Sequence, residues 1–208
     1  MPDYQGRSRR VQEQMAAQQI DLLFLPICAN LHYLTGIGRE EPNFGNTMYP
    51  GEWVTGAWIP QTGDPILTLP RLLAEFHMGH VSVFEVRVLP DADDPLELAG
   101  SVLQHFGIAD NAALAVEDRA WAETLINLRK LVPDVRFSQA SALIMPLRRI
   151  KDEDEIAIMR EAGVVTEAAY AATLAQLKHG LTNLDLISEV RYQLRKHGAL
   201  TDSFVTSF

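Results

Sequence analysis

The stretch Leu22-Leu23-Phe24-Leu25-Pro26-Ile27-Cys28 is an uninterrupted apolar run near the start of the chain. An apolar run this short is typical of a buried strand, which we place at 21–26. Before it, Val11 and Met15 share one face at helical spacing and predict a helix over 4–18. A helix that leads into a buried strand is the beginning of an α/β pattern.

The same alternation continues through the first two-thirds of the chain. Further strands are predicted at 52–60, 65–69, 83–89, 112–116 and 135–137, and further helices at 95–106 and 120–130. The turn-like sequence Gln61-Thr62-Gly63-Asp64 joins the first two of these strands into a hairpin. We therefore predict an α/β domain whose sheet is mixed rather than all-parallel.

The pattern changes at 146–151, which we interpret as a linker. Asp152 and Glu155 then have the spacing of a capping box at the start of a long amphipathic helix. Thr182 caps a second amphipathic helix, and the last residues, 203–208, have the character of a strand. Two helices and one strand do not complete a domain, because their apolar faces have no sheet to cover. We expect the chain to be the front part of a longer protein.

The composition excludes several classes of protein. The 208 residues have a near-average share of hydrophobic and charged types, which excludes disordered and fibrous proteins. The formal charge of −9 argues against a nucleic-acid partner, and the clustered cations Arg7, Arg9 and Arg10 are predicted on the solvated side of the first helix. No apolar run approaches the ~20 residues that span a bilayer, and the N-terminus lacks a signal-peptide core. We therefore expect a cytoplasmic protein with no membrane partner.

The residues alone predict no active site. The single cysteine, Cys28, excludes an internal disulfide and is predicted to be a buried structural thiol. His77 and His80 could share one face of a helix, but no third ligand lies near them, so we interpret them as surface histidines. The acidic stretch 91–94 begins like a calcium loop, yet Val102 stands where the loop needs a bidentate acid.

Three patches nevertheless carry a resemblance to a known family. They are Asn30-Leu31-His32-Tyr33-Leu34-Thr35-Gly36, Arg148-Arg149-Ile150-Lys151-Asp152-Glu153-Asp154-Glu155-Ile156, and His179-Gly180-Leu181-Thr182 with the later Gly198 and Ser203-Phe204. In this order and at this spacing they resemble the creatinase, prolidase and aminopeptidase P family of "pita-bread" metalloenzymes. The resemblance covers essentially the whole chain.

The resemblance implies how the chain is divided. It implies a mixed-sheet α/β N-terminal domain over 1–145, a linker at 146–151, and the first helices of a truncated catalytic domain over 152–208. Enzymes of this family bind two divalent metal ions, such as manganese, through two aspartates, one histidine and two glutamates. All of these ligands lie beyond the family's equivalent of Phe208. We therefore expect no catalytic residue, metal ligand or cofactor in this chain, and no activity from it alone.

The implied function is the N-terminal portion of a metal-dependent Xaa-Pro peptidase, serving dimerisation and substrate capping. Its implied partners are a second copy of the chain, as a homodimer, and a peptide substrate. Two alternatives stay open. One is a creatinase-like amidinohydrolase, because the front half separates the two activities poorly. The other is a non-catalytic module that uses the same fold for dimerisation or peptide binding.

One loop is a candidate for substrate capping. The stretch 37–53 lacks helical or strand periodicity but is rich in aromatic residues, which is typical of functional loops. In creatinase-like relatives, a segment after the first patch gives an aromatic residue and an arginine to the partner's substrate. Phe44 matches the aromatic residue, whereas Asn46 stands at the arginine's place and Arg39 is nearby. The resemblance thus indicates Arg39 and Phe44 as substrate-capping residues, and the aromatic content of the loop adds Trp53.

Overall fold

The computed structural model describes residues 2–37, 51–77 and 84–200. The chain forms two compact units: the first is Asp3–Ile150 and the second begins at Lys151. His80, Arg39, Phe44 and the predicted strand at 203–208 lie outside the described residues.

The first unit is built on a six-stranded sheet with the strand order β4-β3-β2-β1-β5-β6. The strands are β1 (Leu22–Pro26), β2 (Gly56–Pro60), β3 (Ile66–Pro70), β4 (Glu85–Leu89), β5 (Ala113–Val116) and β6 (Arg136–Gln139). Strand β2 is antiparallel to both β1 and β3, while the pairs β1–β5, β5–β6 and β3–β4 are parallel. The predicted mixed sheet and its β2–β3 hairpin are confirmed.

Among the described residues of this unit, six helices and a short 3-10 helix accompany the sheet. They are α1 (Tyr4–Ala17), α2 (Ala29–Thr35), α3 (Arg71–His77), α4 (Pro95–His105), α5 (Ala122–Leu131), α6 (Ser141–Arg149) and the 3-10 helix Glu52–Val54. The sequence pattern predicted neither α2 nor α3. Each spans seven residues, which is less than two full turns and too short for a clear helical period.

Helix α6 occupies most of the stretch 146–151, so the predicted linker is corrected to the short connection 150–152. The residue that disfavours a helix here is Pro146, which has no N–H to bond to the carbonyl of residue 142. That carbonyl, on Ala142, instead accepts a 3.5 Å hydrogen bond from Nε2 of Gln18. This carbonyl thus has a hydrogen-bond partner from a distant part of the sequence, although Pro146 cannot donate to it.

Both faces of the sheet are covered, which explains the uninterrupted apolar run. Along β1, Leu23 and Leu25 face one hydrophobic cluster, and Leu22 and Phe24 face the other. Helices α1, α2, α3 and α6 supply the first cluster, and α4, α5 and the 3-10 helix supply the second. The first unit is thus a three-layer α/β/α domain.

The second unit contains α7 (Glu153–Leu174) and α8 (Asn183–Lys196). The predicted capping box at the start of α7 is confirmed: Oδ1 of Asp152 accepts a 2.7 Å bond from the N–H of Glu155, whose Oε2 accepts a 3.1 Å bond in return. Many apolar side chains of this unit are exposed, including Ile158, Met159, Val164, Tyr170, Leu174, Leu184 and Tyr192. Across both units, no helix of the described ranges is long and apolar enough to span a membrane.

Candidate functional site

The carboxyl ends of β1, β5 and β6 lie at one edge of the sheet because these strands are parallel. Helix α2 follows β1 there, Glu117 follows β5, and α6 follows β6. Open α/β sheets bind ligands outside the carboxyl ends of their strands. The first sequence patch, Asn30–Gly36, is α2 and its C-cap. This edge is therefore where a functional site is expected.

Local contacts define both ends of α2. At its start, Sγ of Cys28 accepts a 3.4 Å hydrogen bond from the N–H of Leu31. At its end, Gly36 adopts a left-handed conformation with φ of 76°. A Cβ atom at this position would lie 2.7 Å from the ring of Tyr4 on α1. The glycine is needed both for its backbone conformation and for the close approach of α1.

A chain of hydrogen bonds joins three elements across Asn30. Nδ2 of Asn30 donates to Oε2 of Glu117 at 2.8 Å. Oδ1 of Asn30 accepts from Nη1 of Arg148 at 2.5 Å. A carboxylate only accepts and a guanidinium only donates, so an amide that does both fits between them. Because Asn30 is only 8% exposed, these bonds contribute more than they would in water.

Tyr33, also on α2, contacts two arginines at this site. The guanidinium of Arg7 lies 4.3 Å from the centre of its ring, and that of Arg148 lies 5.7 Å from it. Nη1 of Arg7 also donates to the main-chain oxygen of Tyr33 at 3.0 Å. The tyrosine hydroxyl donates to the main-chain oxygen of Leu147 at 3.4 Å. Two cation–π contacts and two hydrogen bonds thus tie α2 to α1 and α6.

The prediction for Arg7 was wrong. Arg7 is 3% exposed, whereas Arg9 and Arg10 are exposed as predicted. Its burial follows from the aromatic face and carbonyl oxygen of Tyr33, which partner its charge. These partners lie 26 residues further along the chain, so helical periodicity could not have revealed them.

Cys28 is half-buried beside the same cluster, with its thiol 3.6 Å from Oε2 of Glu117. Burial, with a smaller contribution in the same direction from the charge of Glu117, raises the pKa of this thiol to about 11. The group therefore stays protonated at neutral pH and is a poor nucleophile. The geometry agrees with a structural role at the start of α2.

The residues on either side of 38–50 are firmly held. After α2, the N–H of Ile37 donates to Oγ1 of Thr35 at 3.1 Å, and the carbonyl oxygen of Ile37 bonds to Nδ1 of His32 at 2.8 Å. The side chain of Ile37 is buried in the core. The position of Ile37 is thus fixed by two hydrogen bonds and by packing.

Trp53, one of the predicted capping residues, lies in the 3-10 helix at the other side of this stretch. Its side chain is 3% exposed and belongs to the hydrophobic cluster that contains Phe24 and Trp58. Its main-chain oxygen accepts a 3.1 Å bond from Oγ1 of Thr124 on α5. The structure therefore places the side chain of Trp53 in the hydrophobic core. The other two predicted capping residues, Arg39 and Phe44, lie outside the described residues.

The acidic groups considered as metal ligands have structural partners. Oδ1 of Asp94 caps α4 by accepting from the N–H of Leu96 at 2.8 Å, and Asp91 forms a 2.8 Å ion pair with Arg71. Within residues 2–37, 51–77 and 84–200, no group of three or more histidine, cysteine or acidic side chains could hold a metal ion. The described residues thus do not fit a metal centre.

Sequence reasoning found Asn30, Tyr33 and Arg148 as parts of two patches but missed Glu117. An acidic residue after a strand has no distinctive local signal. Only the shared edge of the parallel strands β1 and β5 brings Glu117 to Asn30.

Comparison with known proteins gives relatives of both sequence and fold. The putative dipeptidase YkvY of Bacillus subtilis is 24% identical over 201 residues, covering 97% of this chain and 53% of that protein. The uncharacterized hydrolase/peptidase y4tM of Sinorhizobium fredii is 29% identical over 194 residues, covering 90% and 48%. The chain therefore spans about half the length of these curated relatives.

Solved structures show the same fold. A prolidase from Thermococcus sibiricus superposes with a TM-score of 0.84 at 18% identity, over 99% of this chain and 53% of that one. An Xaa-Pro dipeptidase from Bacillus anthracis gives 0.75 at 19% identity, over 97% and 52%. The family model of the creatinase/prolidase N-terminal domain matches residues 7–150, which is nearly the whole first unit. The chain belongs to the creatinase/prolidase N-terminal domain family.

Proposed function

We propose that this chain is the N-terminal portion of a metal-dependent Xaa-Pro peptidase. The observation that carries the proposal is the family match over 7–150 together with a prolidase-like fold over 99% of the chain. Structural relatives with that fold include a prolidase and an Xaa-Pro dipeptidase. The complete protein would be this chain joined to a second half like that of these relatives, of which the chain covers 53% and 52%.

The proposed reaction centre belongs to that second half, which would hold two divalent ions such as manganese. The 208-residue chain alone is then inactive. The test is elemental analysis of the dialysed chain together with a peptide assay at added manganese or cobalt. One or more tightly held ions per chain, together with turnover of an Xaa-Pro peptide, would contradict the proposal that the reaction centre belongs to the second half.

The complete protein tests the activity itself. It should hydrolyse Xaa-Pro peptides with added manganese and lose this activity after treatment with a chelator. Turnover of creatine in place of peptides would favour the amidinohydrolase alternative. Peptide binding without turnover, by a protein whose second half lacks metal ligands, would favour the non-catalytic module.

The proposed role of the first unit is to cap the substrate, in the active site of the partner subunit. Arg39 and Phe44 would contact the substrate, and the buried Trp53 would anchor their segment. Phe44→Ala and Arg39→Ala in the complete protein should raise KM for an Xaa-Pro peptide with folding intact. The matched control is Arg9→Ala on the exposed face of α1. Unchanged kinetics in both loop variants would leave this segment with a structural role only.

We also propose that the chain forms a homodimer and acts in the cytoplasm. The exposed apolar side chains of α7 and α8 support self-association, because large exposed apolar patches mark interaction surfaces. Light scattering should give twice the monomer mass, and a monomer at high concentration would contradict the dimer. Cell fractionation tests the location.

A further inference from the structure

Strand β4 is one edge of the six-stranded sheet. Among the described residues it has a neighbouring strand, β3, on one side only. An edge strand presents a row of main-chain N–H and C=O groups that its own sheet does not pair, and such a row is a template for pairing with another chain. The side chains agree with an open edge, because Glu85 and Val88 are exposed whereas β1, β2 and β3 are almost wholly buried.

The two faces of β4 differ in chemistry. On the side of α4, Oε1 of Glu85 accepts a 2.7 Å hydrogen bond from Nε of Arg87, whose Nη1 donates to a main-chain oxygen of α4 at 3.3 Å. Phe84 and Val86 pack instead against the hydrophobic cluster on the opposite face. Val88, which alternation places on their side, is 40% exposed. The edge therefore offers apolar side chains on one face and a carboxylate beside a guanidinium on the other.

This pattern is complementary to itself. In an antiparallel pair of two β4 strands centred on Val86, Glu85 of each copy lies opposite Arg87 of the other, and Phe84 lies opposite Val88. Directly opposed residues share a face, so opposite charges meet on one face and apolar groups on the other. A pair centred on Arg87 would instead place two like charges opposite each other, which is destabilising. The charges thus select one register.

The other edge strand, β6, lacks this complementarity. Its sequence is Arg136-Phe137-Ser138-Gln139, and its only charged side chain is that of Arg136. No antiparallel pairing of these four residues with a second copy gives the arginine an acidic partner. Strand β4 is therefore the edge suited to a second copy of this chain.

We propose that β4 pairs antiparallel with β4 of a second copy, in the register centred on Val86, so that the two six-stranded sheets form one continuous sheet. The inference rests on the proposed homodimer and names an interface for it, which uses residues of the first unit alone. Main-chain hydrogen bonds hold the two strands together, and the two Glu85–Arg87 pairs fix their register.

Disulfide formation in the 208-residue chain tests the register. The Cα atoms of opposed residues in an antiparallel pair are about 4.5–5.5 Å apart, a distance that a disulfide spans. Val86→Cys, mildly oxidised, should therefore give a covalent dimer in more than about half of the chains. Ser138→Cys, at an exposed position of β6, is the matched control and should give at least about fivefold less, as should the wild type with Cys28 alone.

Charge exchange tests the complementarity in the same assay. Adding Arg87→Glu to Val86→Cys makes both strands acidic, and adding Glu85→Arg makes both basic, so each variant alone should lose at least about fivefold in covalent dimer. An equimolar mixture of the two should recover the yield to within about twofold, because opposite charges then face each other again. This recovery also excludes misfolding as the cause of the separate losses.

Failure of the interface and failure of the homodimer are distinguishable. No covalent dimer from Val86→Cys, an equal yield from Ser138→Cys, or no recovery in the mixture would each overturn the proposed pairing. If the wild type then still has twice the monomer mass in light scattering, the homodimer stands and only the interface is wrong. A wild-type monomer at high concentration would overturn both.

Discussion

Asn30 and Arg148 lie 118 positions apart and are joined by a 2.5 Å hydrogen bond from Nη1 of Arg148 to Oδ1 of Asn30. Asn30 is the first residue of one family-like patch, and Arg148 is the first residue of the next. Two patches that are separate in sequence therefore meet at one contact. Their presence together in the sequence has a physical explanation, since each supplies half of the link between α2 and α6.

The burial of Arg7 predicts a large difference between two neighbouring arginines. Arg7→Met should lower the free energy of unfolding by about 2–3 kcal/mol, because it removes a charged hydrogen bond and a cation–π contact with Tyr33. Arg9→Met, on the exposed side of α1, should change it by less than about 0.5 kcal/mol. Urea unfolding followed by circular dichroism measures both. Equal changes in the free energy of unfolding for the two variants would mean that Arg7 is exposed to solvent.

The left-handed conformation of Gly36 and its closeness to Tyr4 predict a difference in stability between two glycine variants. Gly63→Ala should cost about 1–2 kcal/mol, the backbone strain of a residue with positive φ in open space. Gly36→Ala should cost about 1 kcal/mol more, because its new methyl group would also displace the ring of Tyr4. Thermal unfolding of the two variants gives the comparison. Equal losses of stability would show that α1 does not approach Gly36 closely.

The thiol of Cys28 should react slowly. With a pKa of about 11 against an ordinary 9.0, its alkylation by iodoacetamide at pH 8 should be about a hundredfold slower than in urea-unfolded chain. Glu117→Gln should speed the reaction, since it removes a charge that raises the pKa of this thiol. The variant should still react more slowly than unfolded chain, because burial is the larger cause. Fast alkylation of the folded wild type would contradict the burial and the raised pKa of this thiol.

The capping box of α8 predicts a pH dependence. Hydrogen bonds from the N–H and hydroxyl of Thr182 lower the pKa of Asp185. A lowered pKa means that this contribution to stability is present above the ordinary pKa of an aspartate and disappears as the pH falls through the lowered value. In Thr182→Ala the midpoint of the Asp185 carboxyl signal, followed by NMR, should rise. It should stay unchanged in Ser188→Ala, whose hydroxyl bonds to Leu184 instead.

Local patterns predicted the parts of the fold that bury both faces or have strong caps. Strand β1 was visible because Leu22–Leu25 is buried on both sides, and α7 because Asp152 and Glu155 form a box that needs no distant partner. Helix α6 was missed because Pro146, which lies inside it, disfavours a helix locally.

Only half of the candidate site could be predicted from the sequence, because the other half depends on contacts between distant residues. Asn30 and Tyr33 stand in a short motif, and their importance could be inferred from the resemblance. Glu117 and Arg7 acquire their roles only when β5 and α1 bring them to α2. Contacts between residues far apart in sequence leave no periodicity, so this half of the site required the structure.

Specificity for proline in the complete protein distinguishes an Xaa-Pro peptidase from the alternatives. The kcat/KM for an Xaa-Pro dipeptide should exceed that for the matched Xaa-Ala dipeptide by at least about tenfold, with manganese present in both assays. Release of free proline and of free alanine is quantified under the same conditions. Equal values for the two dipeptides, or no hydrolysis of either, would contradict the proposal of an Xaa-Pro peptidase.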